Sequence, residues 1–199
     1  VGVQSVEINC PGCGAPVAIN TKVCEFCNSP VTVSTFNGLD GFSLPQLNKY
    51  VHSYQNSLRS NPDNSDLGKS MAFCLLKIGL YDQAIASFEK VLPLCFTDSE
   101  LLFYYSVALL KGKKAFAALR PTIDKIETSL NSAISIEPKG IYYYFLAYIK
   151  YDYFFRKKFK TTPTYSDCLA MAKETGYSAA DLATFYGIIK QAPVPDLIT

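Results

Sequence analysis

The chain has 199 residues, 49% of them hydrophobic, and a formal net charge of +2. That length suits one good core plus a small satellite module, and the hydrophobic content excludes a disordered chain. So even a balance of charge gives the molecule as a whole no field to draw it toward nucleic acid or an anionic membrane. No apolar run reaches the roughly 20 residues of a membrane helix. The nearest, Ile141 to Phe155, is interrupted by Lys150 and Asp152 and is heavy with tyrosine.

The first element is a pair of short knuckles. Cys10-Pro11-Gly12-Cys13 is followed, after ten residues, by Cys24-Glu25-Phe26-Cys27. Two C-x2-C pairs at this spacing suit one tetrahedral metal ion, each knuckle offering two thiolates from one tight turn. Gly12 and Gly14 let the backbone curl around sulfur and aim amide N–H groups at it. Val17, Ala18 and Ile19 between the knuckles, and Val31 and Val33 after them, predict short strands carrying the turns. So few apolar residues bury no core of their own, so a bound metal has to supply the stability, which for structural zinc in small peptides is about 10–16 kcal/mol. Two disulfides or an iron centre are the competing readings. Zinc is favoured because the other cysteines, Cys74, Cys95 and Cys168, fall inside apolar helical patterns that read as reduced thiols.

The stretch from about Ile8 to Val33 resembles a rubredoxin-like zinc ribbon. The resemblance implies a structural Zn2+ on Cys10, Cys13, Cys24 and Cys27, with four protein ligands and no open position for catalysis. Residues 1–38 hold Lys22 against Glu7 and Glu25, which makes nucleic acid an unlikely partner for this module, since phosphate recognition needs clustered cations. We assign residues 1–36 to the ribbon and 37–42, with Gly38 and Gly41, to a linker.

Helical patterns follow. Ser43 precedes one with Leu44, Leu47, Tyr50, Val51, Tyr54 and Leu58 on one face, ended by Asn61-Pro62. Asp66 to Ile78 and Asp82 to Leu92 form a pair around the turn Gly79-Leu80-Tyr81. Ser99 to Lys111, a helix opened by Pro121, the aromatic stretch from Ile141 and Ser166 to Thr175 continue the series. Ser178-Ala179-Ala180-Asp181 has the form of a capping box and opens a last helix with Leu182, Phe185, Ile188 and Ile189. Residues 191–199 read as a loose tail.

The tract from Gly79 to Leu92, with Tyr81, Ala84, Phe88 and Val91 at their spacing, closely resembles the turn and second helix of a tetratricopeptide repeat. Stepping back 34 residues from Ala84, Phe88 and Val91 reaches Tyr50, Tyr54 and Ser57 before Pro62, and stepping forward 42 reaches Ile126, Leu130 and Ala133 before Pro138. The resemblance covers about 43–190 and implies a mostly α, tetratricopeptide-like helical-hairpin solenoid, with insertions of about eight residues in its later steps. Solenoids need a cover for the last apolar face, a role that falls to the final helix.

Nothing catalytic is expected. His52 is the only histidine and sits beside an apolar helix face. The chain contains no phosphate loop, nucleophile elbow or metalloprotease motif. If the repeat registers hold, the first helix of each pair lines a concave groove contributed by Lys69, Phe73 and Leu76, then Leu102 and Leu109, then Tyr142, Phe145 and Ile149. Such a groove would take a protein or peptide partner with hydrophobic anchors, unless the chain's own last helix fills it. The strongest basic tract, Arg156-Lys157-Lys158-Phe159-Lys160, reads first as helix-terminal cations, and second as an anionic contact that Lys111, Lys113 and Lys114 would join if neighbouring hairpins stack. The sequence thus points to a non-enzymatic, cytoplasmic interaction adaptor or scaffold, with a nucleic-acid-associated factor using ribbon and basic tract as the alternative.

Overall fold

The computed structural model describes residues 7–194. Over that range the chain is mostly helical, with eight α-helices and one two-stranded antiparallel sheet. It divides into two compact units, Val1–Phe96 and Thr97–Thr199.

The first unit begins with β1 (Glu7–Asn9) and β2 (Pro16–Ala18), whose register sets Ile8 opposite Val17. Both of these side chains are buried. The second knuckle has no strand pair of its own and is closed by a single bridge between Val23 and Pro30. Val31 and Val33, expected to carry a strand, are buried but lie in no strand, and helices meet their backbone groups. The Tyr54 hydroxyl donates to the Val31 carbonyl at 3.0 Å, and the Val33 N–H donates to Ser70 Oγ at 2.8 Å.

Residues 37–42 are not a free tether. Phe36 and Leu39, in one short 3-10 turn, are fully buried. Phe36 sets its edge against Phe73 at 5.7 Å, and Lys77 reaches Asp40 at 2.7 Å. Burial of two apolar side chains three residues apart overrides the flexibility that Gly38 and Gly41 suggest.

Helix α1 (Leu44–Ser60) starts at a capping box between Ser43 and Gln46, with Pro45 in the first turn, and buries Leu47, Tyr50, Val51 and Tyr54 on one face. Asn64 caps α2 (Ser65–Lys77) by accepting from the Leu67 N–H at 2.9 Å. Helix α3 (Tyr81–Val91) packs back on α2, where Phe73 meets Phe88 at 6.1 Å.

The second unit contains α4 (Ser99–Leu109), α5 (Arg120–Ile136), α6 (Gly140–Ile149), α7 (Tyr165–Thr175) and α8 (Ala179–Ile189). Asp98, Thr164 and Ser178 cap α4, α7 and α8 with their side chains. Helix α4 packs on α5, and α6 on α7. The α6–α7 contact depends on Gly140, where an added Cβ would lie 2.1 Å from the Gly176 carbonyl oxygen. Helix α6 runs on as a π-helical segment, Lys150–Phe155, and this segment holds a buried ion pair. Lys150 Nζ lies 2.5 Å from Glu127 and donates to Thr161 Oγ1 at 2.6 Å.

The aromatic core of this unit is closed by α8. Phe185 packs against Phe145 at 4.9 Å, and Tyr186 shares a hydroxyl contact with Tyr144 at 2.8 Å. The expected tail is fastened at its start, since Gln191 donates to the Gly112 carbonyl at 3.1 Å and the Val194 N–H to the Tyr186 hydroxyl at 3.2 Å. Residues 195–199 of that expected tail lie outside the described residues.

Candidate functional site

The two knuckles bring Cys10, Cys13, Cys24 and Cys27 together, with all four sulfurs within 4.8 Å of one another. Cys10 Sγ lies 3.7 Å from Cys27 Sγ, and Cys13 Sγ lies 3.8 Å from Cys24 Sγ. A disulfide would set bonded sulfurs about 2.05 Å apart, so no bond joins these pairs, and all seven cysteines are free thiols. Sulfurs held about 2.3 Å from a central ion form a tetrahedron with edges of about 3.8 Å. The two measured edges fit that figure, so the four cysteines could hold one metal ion.

The two knuckles repeat one local design. The N–H of the fifth residue returns to the carbonyl of the first cysteine in each, Gly14 to Cys10 at 2.8 Å and Asn28 to Cys24 at 2.9 Å. That fifth residue is left-handed in both, with φ of 85° at Gly14 and 58° at Asn28. Asparagine is among the few residues other than glycine that enter this region readily. Ala15 and Ser29, each two residues beyond a cysteine, supply backbone N–H groups to the sulfurs of Cys13 and Cys27. Sequence reasoning picked out the glycines and missed Asn28 and Ser29. The signal available was position, since Asn28 sits at the same offset from Cys24 as Gly14 from Cys10.

These contacts divide the thiols. The Ser29 hydroxyl and then its N–H pull the Cys27 thiol down to about 6. At Cys13 the Ala15 N–H pulls down, but the neighbouring sulfurs and desolvation outweigh it and push the thiol up to about 11. One sulfur ionises easily and another resists because its neighbours crowd it. A bound cation would let all four exist as thiolates together.

The cysteine module is seated on α1 and α2. Tyr50 donates to the Pro30 carbonyl at 3.0 Å, Ser53 to the Asn9 carbonyl at 3.2 Å, and Lys49 to the Gly12 carbonyl. Lys22 pairs with Asp66 at 2.8 Å. Gly12 leaves no room for a side chain, because a Cβ there would lie 2.7 Å from both Cβ and Oγ of Ser29.

The residues predicted to line a groove are placed differently. In the first unit, Phe73 and Leu76 are buried and Lys69 is half-buried, its ammonium 5.3 Å from the Phe73 ring centre. In the second unit, Leu109, Tyr142, Phe145 and Ile149 are buried and Leu102 is half-buried. The six buried side chains serve as core of their own units. An open cleft of about 550 Å3 lies elsewhere in the first unit, between the end of α1, α2 and the end of α3. Leu58, Met71, Val91 and Leu94 give it an apolar floor, and Arg59 and Lys90 stand in its lining. Neither cation has an ion-pair partner among the described residues.

The remaining candidates are plain. His52 is exposed on α1, 3.3 Å from the Asn56 amide. Burial pushes the Cys74 thiol up to about 12 and the Cys168 thiol up to about 11, which suits packed thiols rather than nucleophiles. Among the described residues no helix is long and apolar enough to cross a membrane. No protein-family model matches the chain, and no curated protein matches it.

Proposed function

We propose that the chain is a non-enzymatic interaction adaptor in the cytoplasm, built from a zinc ribbon and tetratricopeptide-like helical hairpins, with a structural Zn2+ on Cys10, Cys13, Cys24 and Cys27. The observation that carries the metal half is the sulfur geometry, edges of 3.7 and 3.8 Å with amide N–H groups aimed at two of the sulfurs. Four thiolates fill a tetrahedral shell and leave no position for a substrate, so the ion's work is to hold the fold. X-ray absorption at the zinc edge of the purified chain should return four sulfurs at about 2.3 Å. An iron signal, or a shell containing nitrogen or oxygen, would reject this assignment.

The adaptor half rests on the cleft between α1, α2 and α3. An apolar floor beside two cations with no carboxylate of their own suits a peptide that inserts an apolar side chain and carries acidic residues beside it. The packing of helices in successive pairs supports the hairpin reading. Peptides selected from a random displayed library on the intact chain should be enriched in Asp or Glu next to Leu, Ile or Phe. Arg59→Glu combined with Lys90→Glu should cost them at least tenfold in affinity. Selected peptides that bind this double variant unchanged would remove the cleft from the account.

A further inference from the structure

The second unit gathers two acid-free stretches, 111–120 and 153–163. The first carries Lys111, Lys113, Lys114 and Arg120, the second Arg156, Lys157, Lys158 and Lys160. The fold sets them side by side. Arg156 and Lys157 lie over the Phe116 ring at 4.7 and 5.0 Å, and Arg120 lies over Phe154 at 5.0 Å. The Phe116 N–H donates to Asp152 at 2.7 Å.

Neutralisation within this region is partial. Arg120 pairs with Asp124 and Arg156 with Asp152. Lys113, Lys114, Lys158 and Lys160 have no carboxylate partner among the described residues. Interleaved with these cations are apolar side chains that keep a large exposed fraction: Phe116 at 41% exposure, Leu119 at 76%, Phe155 at 55% and Phe159 at 51%. Leu119 is the telling one. It occupies the N-cap of α5 and makes no side-chain cap there, at a position where Ser, Thr, Asp or Asn would stabilise the helix. Its carbonyl accepts from the Thr122 and Ile123 N–H groups, but its side chain neither caps the helix nor is buried.

We propose that this end of the second unit docks on an anionic membrane surface, its lysines on acidic lipid headgroups and its exposed apolar side chains in the headgroup and acyl boundary. Apolar tips among unneutralised cations are what such a surface binds. Single-stranded nucleic acid fits less well, because base stacking needs open ring faces. Arg156 and Lys157 already cover Phe116, Phe155 is stacked on Tyr151 at 5.6 Å and 22°, and Leu119 has no ring. The inference uses neither the cysteine cluster nor the cleft, and so stands or falls apart from the adaptor reading.

The test is co-sedimentation of the full chain with vesicles of phosphatidylcholine alone or mixed with phosphatidylserine. The expected result is pelleting with the mixed vesicles only, lost as salt is raised and unaffected by millimolar inorganic phosphate. Lys158→Gln with Lys160→Gln should lower binding about 25-fold, at about fivefold per charge. Leu119→Ser should weaken binding while α5 is kept or strengthened, which circular dichroism and thermal melting would register. The proposal is overturned by no pelleting at low salt, by equal pelleting with both vesicle types, by charge variants that bind as well as the parent, or by a single-stranded oligonucleotide that strips the protein from the vesicles.

Discussion

Gly12 and Gly140 matter for the side chain they lack. A methyl at Gly12 would drive into Ser29, whose hydroxyl and N–H support the Cys27 sulfur. Gly12→Ala is therefore expected to weaken metal retention by roughly 10-fold or more, the range seen when groups behind metal ligands are disturbed, as read by competition with a chromogenic chelator. At Gly140 the obstacle is backbone, the Gly176 carbonyl. Gly140→Ala should cost about 1–3 kcal/mol of stability in urea unfolding, with metal affinity unchanged because the site lies in the other unit. The clustering of the four cysteines was legible in the sequence because thiol spacing is local. Asn28 was legible only by its position, at the offset from Cys24 that Gly14 holds from Cys10, because a residue type other than glycine does not announce a left-handed φ of 58°.

Between elements, buried polar groups decide the fit. Ser70 Oγ accepts from Val33 and donates to the Asp66 carbonyl at 2.6 Å. Ser70→Ala would strand a buried N–H at a cost of about 1–3 kcal/mol, measurable as a lower thermal midpoint for the first unit. Lys150 and Glu127 form the comparable device in the second unit, with side-chain exposures of 6% and 16%. Removing one partner leaves an uncompensated charge, so Glu127→Ala should destabilise by about 3–5 kcal/mol, and adding Lys150→Met should recover most of the loss. Helix order and ends were legible because Ser43, Pro62, Pro121 and Ser178 punctuate the chain. Which apolar face was open was not. Helix α6 buries Tyr142, Tyr144, Phe145, Leu146, Tyr148 and Ile149, and a helix apolar nearly all round gives periodicity no solvent side to find. Phe145 therefore read as groove lining, when Phe185 of α8 covers it.

At the scale of the whole molecule, stability should fall away at both ends of the pH range for different reasons. Burial raises the phenols of Tyr54, Tyr144 and Tyr148 above their ordinary 10.0, and pushes Tyr50 up to about 12. The folded state thus holds them neutral where the unfolded chain would ionise. Their contribution is complete below 10 and is lost as pH rises beyond it, and phenolate absorbance should rise together with loss of helical circular dichroism. In acid, protons compete with a metal for sulfur, so release of the proposed ion should precede helix loss. The central claim is that one ion on four sulfurs holds the first unit in register, and hydrogen exchange with and without a strong chelator tests it most directly. Chelation is predicted to remove protection from residues 7–33 and from the faces of α1 and α2 that meet them, leaving α4 to α8 as protected as before. Unchanged exchange in α1 and α2 after the metal is gone, or loss spread evenly over both units, would contradict it.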